Sequence, residues 1–555
     1  MTLPRVSPTW LDRAIQSVAP AWGMRRMRAR VQMAAYSSSV TGGEGGGYEG
    51  ASSKRSLRAW DASPAGPNAI TRGSAGLLRH RARDLVRNSP IASAALHTKR
   101  NSVVGTGLVP QPRVDREALG VSDAEADTFE RAAADIISEW SRRADVARRQ
   151  TFGGLQRLAY TTAVVSGDAF ALRRFKERDG DVLGVRVQLI EPERVTNPQW
   201  RPDTGDLMGG VEIDADGEPV AYHVLDHHPG EIHYLTQPHW TRVPALGQAS
   251  GLTQVLHLYH QERPEQVRGV SALAPIIEPL KQLSRYTEAE IQAAIISSFF
   301  TVFVRTETEQ GIDGLFGDSS QPDPTGRGTA GQEVDRANDI RLAPGAVMNL
   351  GEEERIDIAN PQRPNQAFDG FVAAMLRQVA GALDLPYEVL VRNFTASYSA
   401  SRAALEMAWQ GFRLERQWLI EQFCQPIYEW VIWEAVARER LHAPGFLRDP
   451  LIRQAWLGTE WVGPSRINLD PNREMSAAER AVKLRVTTRQ RIAREYYGSD
   501  WDAVERQLSK EDERIASDNG DPDVAVSSPR VTSNGAGEDH DSEDTEGLPA
   551  PGEDP

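Results

Sequence analysis

Apolar residues near the start of the ordered chain recur with a helical period. From Thr71 to Thr98 they return every three or four positions, and Asn88-Ser89-Pro90 interrupts the run. The pattern predicts two helices. Four arginines interleave with the apolar positions and predict one basic face on these helices: Arg79, Arg81, Arg83 and Arg87. A further helix, with both acidic and basic residues, is predicted from Asp123 to Asp145.

The pattern between residues 152 and 260 changes to short β-rich runs separated by Gly, Pro and Asp turns. Four strands are predicted, at Val182–Ile190, Gly210–Ile213, Pro219–Leu225 and Val255–Tyr259. The turn Asp214-Ala215-Asp216-Gly217 is a hairpin signal between the second and third strands. This part of the chain is therefore predicted to be a β-rich α+β domain.

Long apolar periodicities return after residue 270. They predict a helix from Ala274 to Val304 with a kink near Pro279, a helix capped by Asn365 and running to Leu383, and a third helix from Ser401 to about Leu441. The third carries a series of aromatic residues, which predicts burial on several sides: Trp409, Phe412, Trp418, Phe423, Trp430 and Trp433. Residues 305–345 are rich in Gly, Asp, Ser and Pro and predict an exposed excursion.

Composition narrows the class of protein. The chain has 555 residues, enough for several globular units, and a single cysteine, Cys424. One cysteine excludes a disulfide framework and any cysteine-based metal cluster within one subunit, which indicates a reducing compartment. The longest uncharged apolar run, Ile291–Val304, is shorter than the roughly 20 residues that cross a bilayer, so no membrane span is expected. No secretory signal is visible, and we expect a cytosolic protein.

Charge is distributed unevenly along the chain, whose net charge is -14. Residues 1–113 carry 17 Lys and Arg against 5 Asp and Glu, whereas residues 510–555 carry 3 against 14. A basic arm is typical of contacts with nucleic acid or acidic proteins, and an acidic tail of this composition is expected to be disordered. The alternative is that both ends are simply solvated.

Signatures of catalysis are absent from the sequence. It has no phosphate-binding Gly-x-x-x-x-Gly-Lys-Ser/Thr loop, no Gly-x-Ser-x-Gly elbow and no His-Glu-x-x-His pair, and Gly105-Thr106-Gly107 is interpreted as a turn. The carboxylates Asp168, Glu191 and Glu193 are interpreted as structural. Histidines cluster between residues 223 and 260 without a metal-ligand spacing: His223, His227, His228, His233, His239, His257 and His260. We predict no catalytic, cofactor or metal residues.

Several stretches together resemble the portal proteins of tailed bacteriophages, in the lambda-type family. They occur in the family's order between about residues 70 and 500: Arg81–Asn88, Val103–Gly107, Gly167–Phe170, Leu189–Val195, Gly210–Glu212 and Arg263–Ser271. The resemblance implies an α+β portal fold with a β-rich wing, long stem helices, a clip and a helical crown. It implies a ring of subunits, usually twelve, at one capsid vertex, through which DNA is packaged and later ejected.

The resemblance also implies a division of this chain. It implies a wing at 60–270, stem helices at 271–304 and 363–385, a clip at 305–362, a tunnel loop at 386–400 and crown and wing-return helices at 401–509. It leaves the first 50 and last 45 residues unaccounted for; composition predicts a basic flexible arm at 1–59 and an acidic disordered tail at 510–555. The DNA-channel candidates in the tunnel loop are Arg392, Asn393, Phe394, Thr395, Ser397 and Tyr398. The arginine face at 79–87 is expected to meet DNA, scaffold or capsid.

The implied partners are other copies of the chain, double-stranded DNA, the terminase large subunit docking on the clip, major capsid and scaffold proteins, and a head–tail connector. The resemblance implies no enzyme activity, no cofactor and no membrane, and a place in the virion after assembly in the host cytoplasm. Arg392 is the only charged residue between Val391 and Ser401, so the loop would grip DNA weakly. Two alternatives remain: a metal-dependent DNA-processing enzyme, or another structural capsid or tail protein.

Overall fold

The computed structural model divides the chain into two units, residues 1–70 and 71–555. Apart from isolated positions before residue 64, it describes residues 64–231, 237–248, 250–298, 302–306, 354–358, 367–394, 397–465, 471–499 and 501–518. The predicted arm at 1–59 and most of the predicted clip at 305–362 lie outside the described residues. The fold below is that of the second unit.

The two helices predicted at the start are present as α1 (Pro67–Asn88) and α2 (Pro90–Val103). The Ser89 side chain accepts a hydrogen bond from the Ala92 amide, and Pro90 occupies the first turn of α2, where a missing N–H costs nothing. Three helices follow: α3 (Arg116–Leu119), α4 (Asp123–Ser141) and α5 (Phe152–Ser166). α4 opens on a capping box between Ser122 and Glu125 and ends four residues before the predicted end.

Two antiparallel sheets follow α5, which confirms the α+β prediction. The first contains β2 (Asp168–Phe175) between β3 (Val185–Ile190) and β8 (Val255–Tyr259). The second has four strands in sequence order: β4 (Leu207–Met208), β5 (Val211–Ile213), β6 (Pro219–Leu225) and β7 (Trp240–Pro244). β5 and β6 pair as the hairpin predicted at 214–217. β2, β4 and β7 were not predicted.

The central strand β2 has both faces buried. Ala169 and Ala171 join the main core, which the helices also line, whereas Phe170 and Leu172 join a second core between the two sheets. Successive side chains of a strand point to opposite faces, so this one strand separates two cores. Its partners in the second core include Val211, Tyr222 and Val224 of the four-stranded sheet.

Close approach of two glycines joins β2 to the segment after β8. A Cβ atom on Gly269 would lie 2.0 Å from the carbonyl oxygen of Gly167, and Gly167 has φ of +95°. We expect Gly269→Ala to lower the free energy of unfolding by about 2 kcal/mol, because backbone on both sides must move. Gly76→Ala in α1 meets nothing within 4 Å and should be neutral or slightly stabilising. Equal urea midpoints for the two variants would contradict this account.

The first predicted long helix is shorter than expected. A 3₁₀ turn, Ala274–Ile276, leads into α6 (Ile277–Ser298), and Val302–Thr306 forms a strand, β9, so the prediction of helix up to Val304 is wrong. Pro279 lies in the first turn of α6, where its missing N–H is tolerated. β9 pairs antiparallel with β10 (Glu354–Ile358).

The second predicted helix is α7 (Phe368–Ala382). Its N-cap position is Ala367 with no side-chain cap, so Asn365, which lies outside the described residues, is not the N-cap residue. A short helix, α8 (Tyr387–Val391), and α9 (Tyr398–Leu419) follow, with α9 beginning three residues before the predicted Ser401. A π-helical turn, Ile420–Cys424, then connects α9 to α10 (Gln425–Ala437). Trp430 and Ile432 of α10 are both buried, as predicted for this aromatic segment.

The C-terminal part consists of α11 (Pro450–Trp456), β11 (Thr459–Val462), α12 (Pro471–Lys483), α13 (Arg489–Ile492), a π turn at Ala493–Tyr497, and α14 (Trp501–Asp518). β11 pairs with β1 (Val109–Pro112), near the start of the fold. α14 extends nine residues into the segment predicted as a disordered tail, 510–555, the rest of which lies outside the described residues. Among the described helices, none is both long and apolar enough to cross a bilayer.

Candidate functional site

The candidate DNA-channel segment 386–400 contains less loop than the sequence predicted. α8 occupies Tyr387–Val391, and Tyr398 already belongs to α9. Only residues 392–397 connect them. Arg392 ends α8 in a left-handed conformation, φ 56°, which is uncommon for a residue other than glycine. Ser397 caps α9, because its hydroxyl accepts a hydrogen bond from the Ala400 amide.

The side chains of this connection are exposed and mostly uncharged. Arg392, Asn393, Phe394 and Ser397 are all exposed, and the Arg392 guanidinium donates a hydrogen bond to the hydroxyl of Thr98 in α2 at 3.4 Å. Thr395 and the Tyr398 side chain lie outside the described residues. Four of the six predicted residues are thus placed together at one exposed turn, and their contact with DNA stays a prediction.

A cluster of charged and polar groups joins the helices on either side of this segment. Lys99 of α2 donates a hydrogen bond to the carbonyl oxygen of Leu383, just after α7, at 3.2 Å. The same ammonium lies 2.5 Å from a carboxylate oxygen of Glu415 in α9, and the other oxygen of Glu415 accepts a hydrogen bond from the Tyr160 hydroxyl in α5. We call Lys99, Glu415, Tyr160 and the Leu383 carbonyl the lysine clamp. It ties α2, α5, α7 and α9 together.

Proton affinities in the lysine clamp fit a structural role. Burial raises the pKa of Tyr160 well above its ordinary value, and the Glu415 carboxylate raises that pKa further. The hydroxyl therefore stays protonated and donates a hydrogen bond to Glu415. His260 stacks on Trp418 with ring centroids 4.0 Å apart, and burial lowers the pKa of this histidine. The neutral imidazole therefore adds no charge beside the clamp at neutral pH.

The four arginines of α1 do not share one face. Arg79 is buried and lies 3.3 Å from the Asp168 carboxylate, and Arg83 donates to both carboxylate oxygens of Glu193, at 2.8 and 3.1 Å. Arg81 and Arg87 are exposed. The predicted basic face is therefore reduced to these two residues, because carboxylates of the same chain engage the other two. Contact of Arg81 and Arg87 with DNA, scaffold or capsid stays a prediction.

Asp168 is the centre of this ion-pair cluster. Its side chain is fully buried and contacts Arg79, Arg268 and His257. Burial alone would raise the pKa of Asp168, but the Arg268 guanidinium, a hydrogen bond from His257 and the Arg79 guanidinium outweigh it and hold the pKa well below the usual range. Arg268 also donates to the carbonyl oxygens of Val195 and Pro192, at 3.0 and 3.1 Å. The cluster joins α1 to both sheets, so the structural interpretation of Asp168 is supported.

Glu191, Glu193 and His228 are the described residues that come nearest to a metal site, with one possible ligand atom from each lying within 4.8 Å of the others. Arg83 already lies 2.8 Å from Glu193 and 3.4 Å from Glu191. The His228 Nδ1 accepts a hydrogen bond from the Gly230 amide, and its Nε2 lies 3.1 Å from Glu191. The Arg83 guanidinium, already placed between the two carboxylates, favours an ion-pair cluster over metal binding here.

The remaining histidines of the 223–260 cluster and the single cysteine were predicted to have no catalytic or metal-binding role. His223 lies 2.6 Å from Glu212, His257 contacts Asp168, and His239 is exposed, so these described histidines do not converge; His233 lies outside the described residues. Burial raises the pKa of the Cys424 thiol well above its ordinary value, which makes it a poor nucleophile.

Sequence comparison identifies the family. A sequence model described as "Phage portal protein, lambda family" matches residues 53–416, about two thirds of the chain. The chain belongs to the lambda family of phage portal proteins. The match spans the two sheets that follow α5, α6 and α7, the 392–397 connection and most of α9. The family is structural rather than enzymatic.

Individual relatives agree with this assignment. The chain is 25% identical over 463 residues to the portal protein of Escherichia phage N15, covering 80% of this chain and 85% of that protein. It is 25% identical over 467 residues to portal protein B of Escherichia phage lambda, covering 80% and 84%. A probable portal protein of Halomonas phage phiHAP-1 is 26% identical over 452 residues, covering 79% and 80%.

Solved structures that resemble the chain include parts of gene transfer agent particles. The neck of a native particle matches with a TM-score of 0.38 and 12% identity, covering 74% of this chain and 92% of that one. The neck of an empty particle matches with a TM-score of 0.36 and 13% identity, covering 78% and 98%.

Proposed function

We propose that copies of this chain form a ring at one vertex of a phage capsid and that DNA enters and leaves through its centre. The observation that carries the proposal is the lambda-family match over residues 53–416. The DNA-channel lining is assigned to the 392–397 connection, whose Arg392 guanidinium contacts the Thr98 hydroxyl of α2.

Helix packing supports the stem assignment. α6 and α7 pair through Tyr286, whose ring lies 5.6 Å from the ring of Phe368 and 4.8 Å from that of Phe371. Ile291 of α6 and Phe371 of α7 remain 55% and 47% exposed in the isolated chain. Exposed apolar faces of this kind are typical of surfaces that other subunits cover. We assign α6 and α7 to the stem, the β9–β10 pair to the clip and the two sheets before residue 270 to the wing.

The low charge of the 392–397 connection supports passage of DNA rather than tight binding. Each phosphate that a protein neutralises adds affinity, and a tightly held duplex would not slide. Arg392 is the only charged residue between Val391 and Ser401, and Thr98 already engages its guanidinium. The connection therefore offers polar and aromatic contacts with little electrostatic grip.

The energy for packaging must come from a partner. The chain has no phosphate-binding loop, so we assign the motor to the terminase large subunit, docking at the clip, and no enzymatic role to this chain. Major capsid and scaffold proteins and a head–tail connector complete the partners, with assembly in the host cytoplasm before the ring joins the virion. Arg81 and Arg87, two of the exposed cations of α1, are assigned to contact with one of them.

Native mass spectrometry and a packaging assay test the proposal. Replacing Asn393–Ala396 with Gly-Ser-Gly-Ser leaves the α9 cap at Ser397 in place, so we expect intact rings and at least a tenfold loss of packaged or retained DNA. The matched control replaces the exposed hairpin turn Asp214–Gly217 with Ser-Gly-Ser-Gly, which keeps glycine at the position with φ of +88°, and should package normally. A wild-type chain that forms no rings would refute the function, whereas normal packaging by the loop variant would refute only the role of the loop.

A further inference from the structure

The last described helix leaves an amphipathic surface uncovered. Trp501, Val504, Leu508 and Ile515 recur at helical spacing along α14, yet Leu508 is 46% and Ile515 59% exposed. Two exposed carboxylates flank this stripe on one side, seven residues apart: Glu505 and Asp512. We call this surface the acidic helix face. An apolar stripe beside acidic residues fits a partner that is both apolar and basic.

A surface with those properties lies at the end of α12. Leu484 and Val486 follow the helix and are 74% and 75% exposed. Arg480, Lys483 and Arg485 surround them and are exposed as well, although Lys483 already pairs with Glu479 of the same helix at 2.7 Å. We call these five residues the basic helix end. The two surfaces do not cover each other within one chain, since the apolar residues of both remain exposed.

We propose that the acidic helix face of one copy binds the basic helix end of the neighbouring copy in the ring. The inference rests on the proposed ring and adds a specific contact to it. A rotationally symmetric ring joins each copy to the next through two different surfaces, and contacting points must lie at the same height along the axis. Both surfaces belong to the same C-terminal segment, in which the Arg489 guanidinium lies 5.7 Å from the ring centroid of Trp501. They are therefore suited to meet at one level.

Charge reversal tests the contact. One variant carries Glu505→Lys and Asp512→Lys, and the other carries Arg480→Glu and Lys483→Glu. Each alone places like charges at every contact, so we expect at least a tenfold fall in the fraction of ring by native mass spectrometry. One chain carrying all four substitutions should form rings again. Glu117→Lys, at an exposed position of α3, is the control for a general effect of added positive charge.

Mixing the two reversed variants separates a contact between copies from one within a chain. In one variant both surfaces are basic and in the other both are acidic, so an equimolar mixture should form rings in which the two alternate. Rescue by the fourfold variant without rescue by mixing would place the contact inside one chain and overturn the inference. Rings of normal yield from both variants would also overturn it, and wild-type rings in the same experiment would leave the proposed function standing. Circular dichroism of each variant distinguishes lost assembly from lost folding.

Discussion

Replacing Asp168 with alanine is expected to lower the free energy of unfolding by about 3–5 kcal/mol, the range for removing one partner of a buried ion pair. The substitution leaves two guanidinium groups in the interior, since the side chains of Arg79 and Arg268 are only 8% and 13% exposed. Glu193 lies 3.9 Å from Arg79 and compensates it in part. Urea unfolding of the full chain, followed by tryptophan fluorescence, measures the loss.

The charge of Asp168 also predicts a pH dependence. Because the pKa of Asp168 in the folded chain is held below that of an unfolded aspartate, about 3.9, its stabilisation is complete above that value and is lost as the pH falls toward the folded pKa. Between about pH 4 and pH 2 the urea midpoint of the wild type should fall more steeply than that of Asp168→Asn, which has no charge to lose.

Two controls make the Asp168 prediction specific. Asp168→Asn keeps an oxygen acceptor for Arg268 and should destabilise less than Asp168→Ala. Asp216→Ala changes an exposed aspartate in the β5–β6 turn and should shift the unfolding free energy by less than about 0.5 kcal/mol. If Asp168→Ala were as mild as Asp216→Ala, the cluster would not be what joins α1 to the sheets.

Elements with one buried face and a clear boundary signal could be predicted from the sequence. A strand buried on both faces, and an apolar run that continues from a helix into a strand, could not. The α1–α2 break at Ser89-Pro90 and the strand β6 were predicted correctly because each combines periodicity with a strong boundary signal. β2 was missed because both of its faces are buried, which removes the alternation that marks a strand. The end of α6 was misplaced because an apolar run continues into β9, and apolarity alone does not distinguish helix from strand.

In the candidate site, too, features with a local sequence signal could be predicted, whereas roles that depend on distant residues could not. The exposed connection could be located from its polar residues, but the roles of Arg79 and Arg83 depend on Asp168 and Glu193, which lie about a hundred residues away in the sequence. Lys99 was overlooked although a signal existed. It shares the buried face of α2 with Ala92, Ala95, Leu96 and Val103, and a lysine in such a position must have a partner.

Lys99→Met is expected to lower the free energy of unfolding by about 3 kcal/mol. Methionine fills a similar volume but leaves the Glu415 carboxylate without its cation and the Leu383 carbonyl without its donor. The side chains of Lys99 and Glu415 are only 10% and 21% exposed, so water replaces the lost contacts incompletely. The double variant Lys99→Met/Glu415→Met removes both charges and should be more stable than Lys99→Met alone, although the Tyr160 hydroxyl then loses its acceptor.

Hydrogen exchange connects the clamp to the candidate channel. If Lys99 positions the segment between Leu383 and Arg392, the amides of α8 should exchange faster in Lys99→Met, while those of α4 keep the wild-type rate. Thr98→Val removes only the contact to Arg392 and should accelerate exchange at the end of α8 alone. A double variant less stable than Lys99→Met would contradict the argument from an unpaired buried charge. Unchanged exchange in α8 would mean that the clamp stabilises the core without positioning the turn.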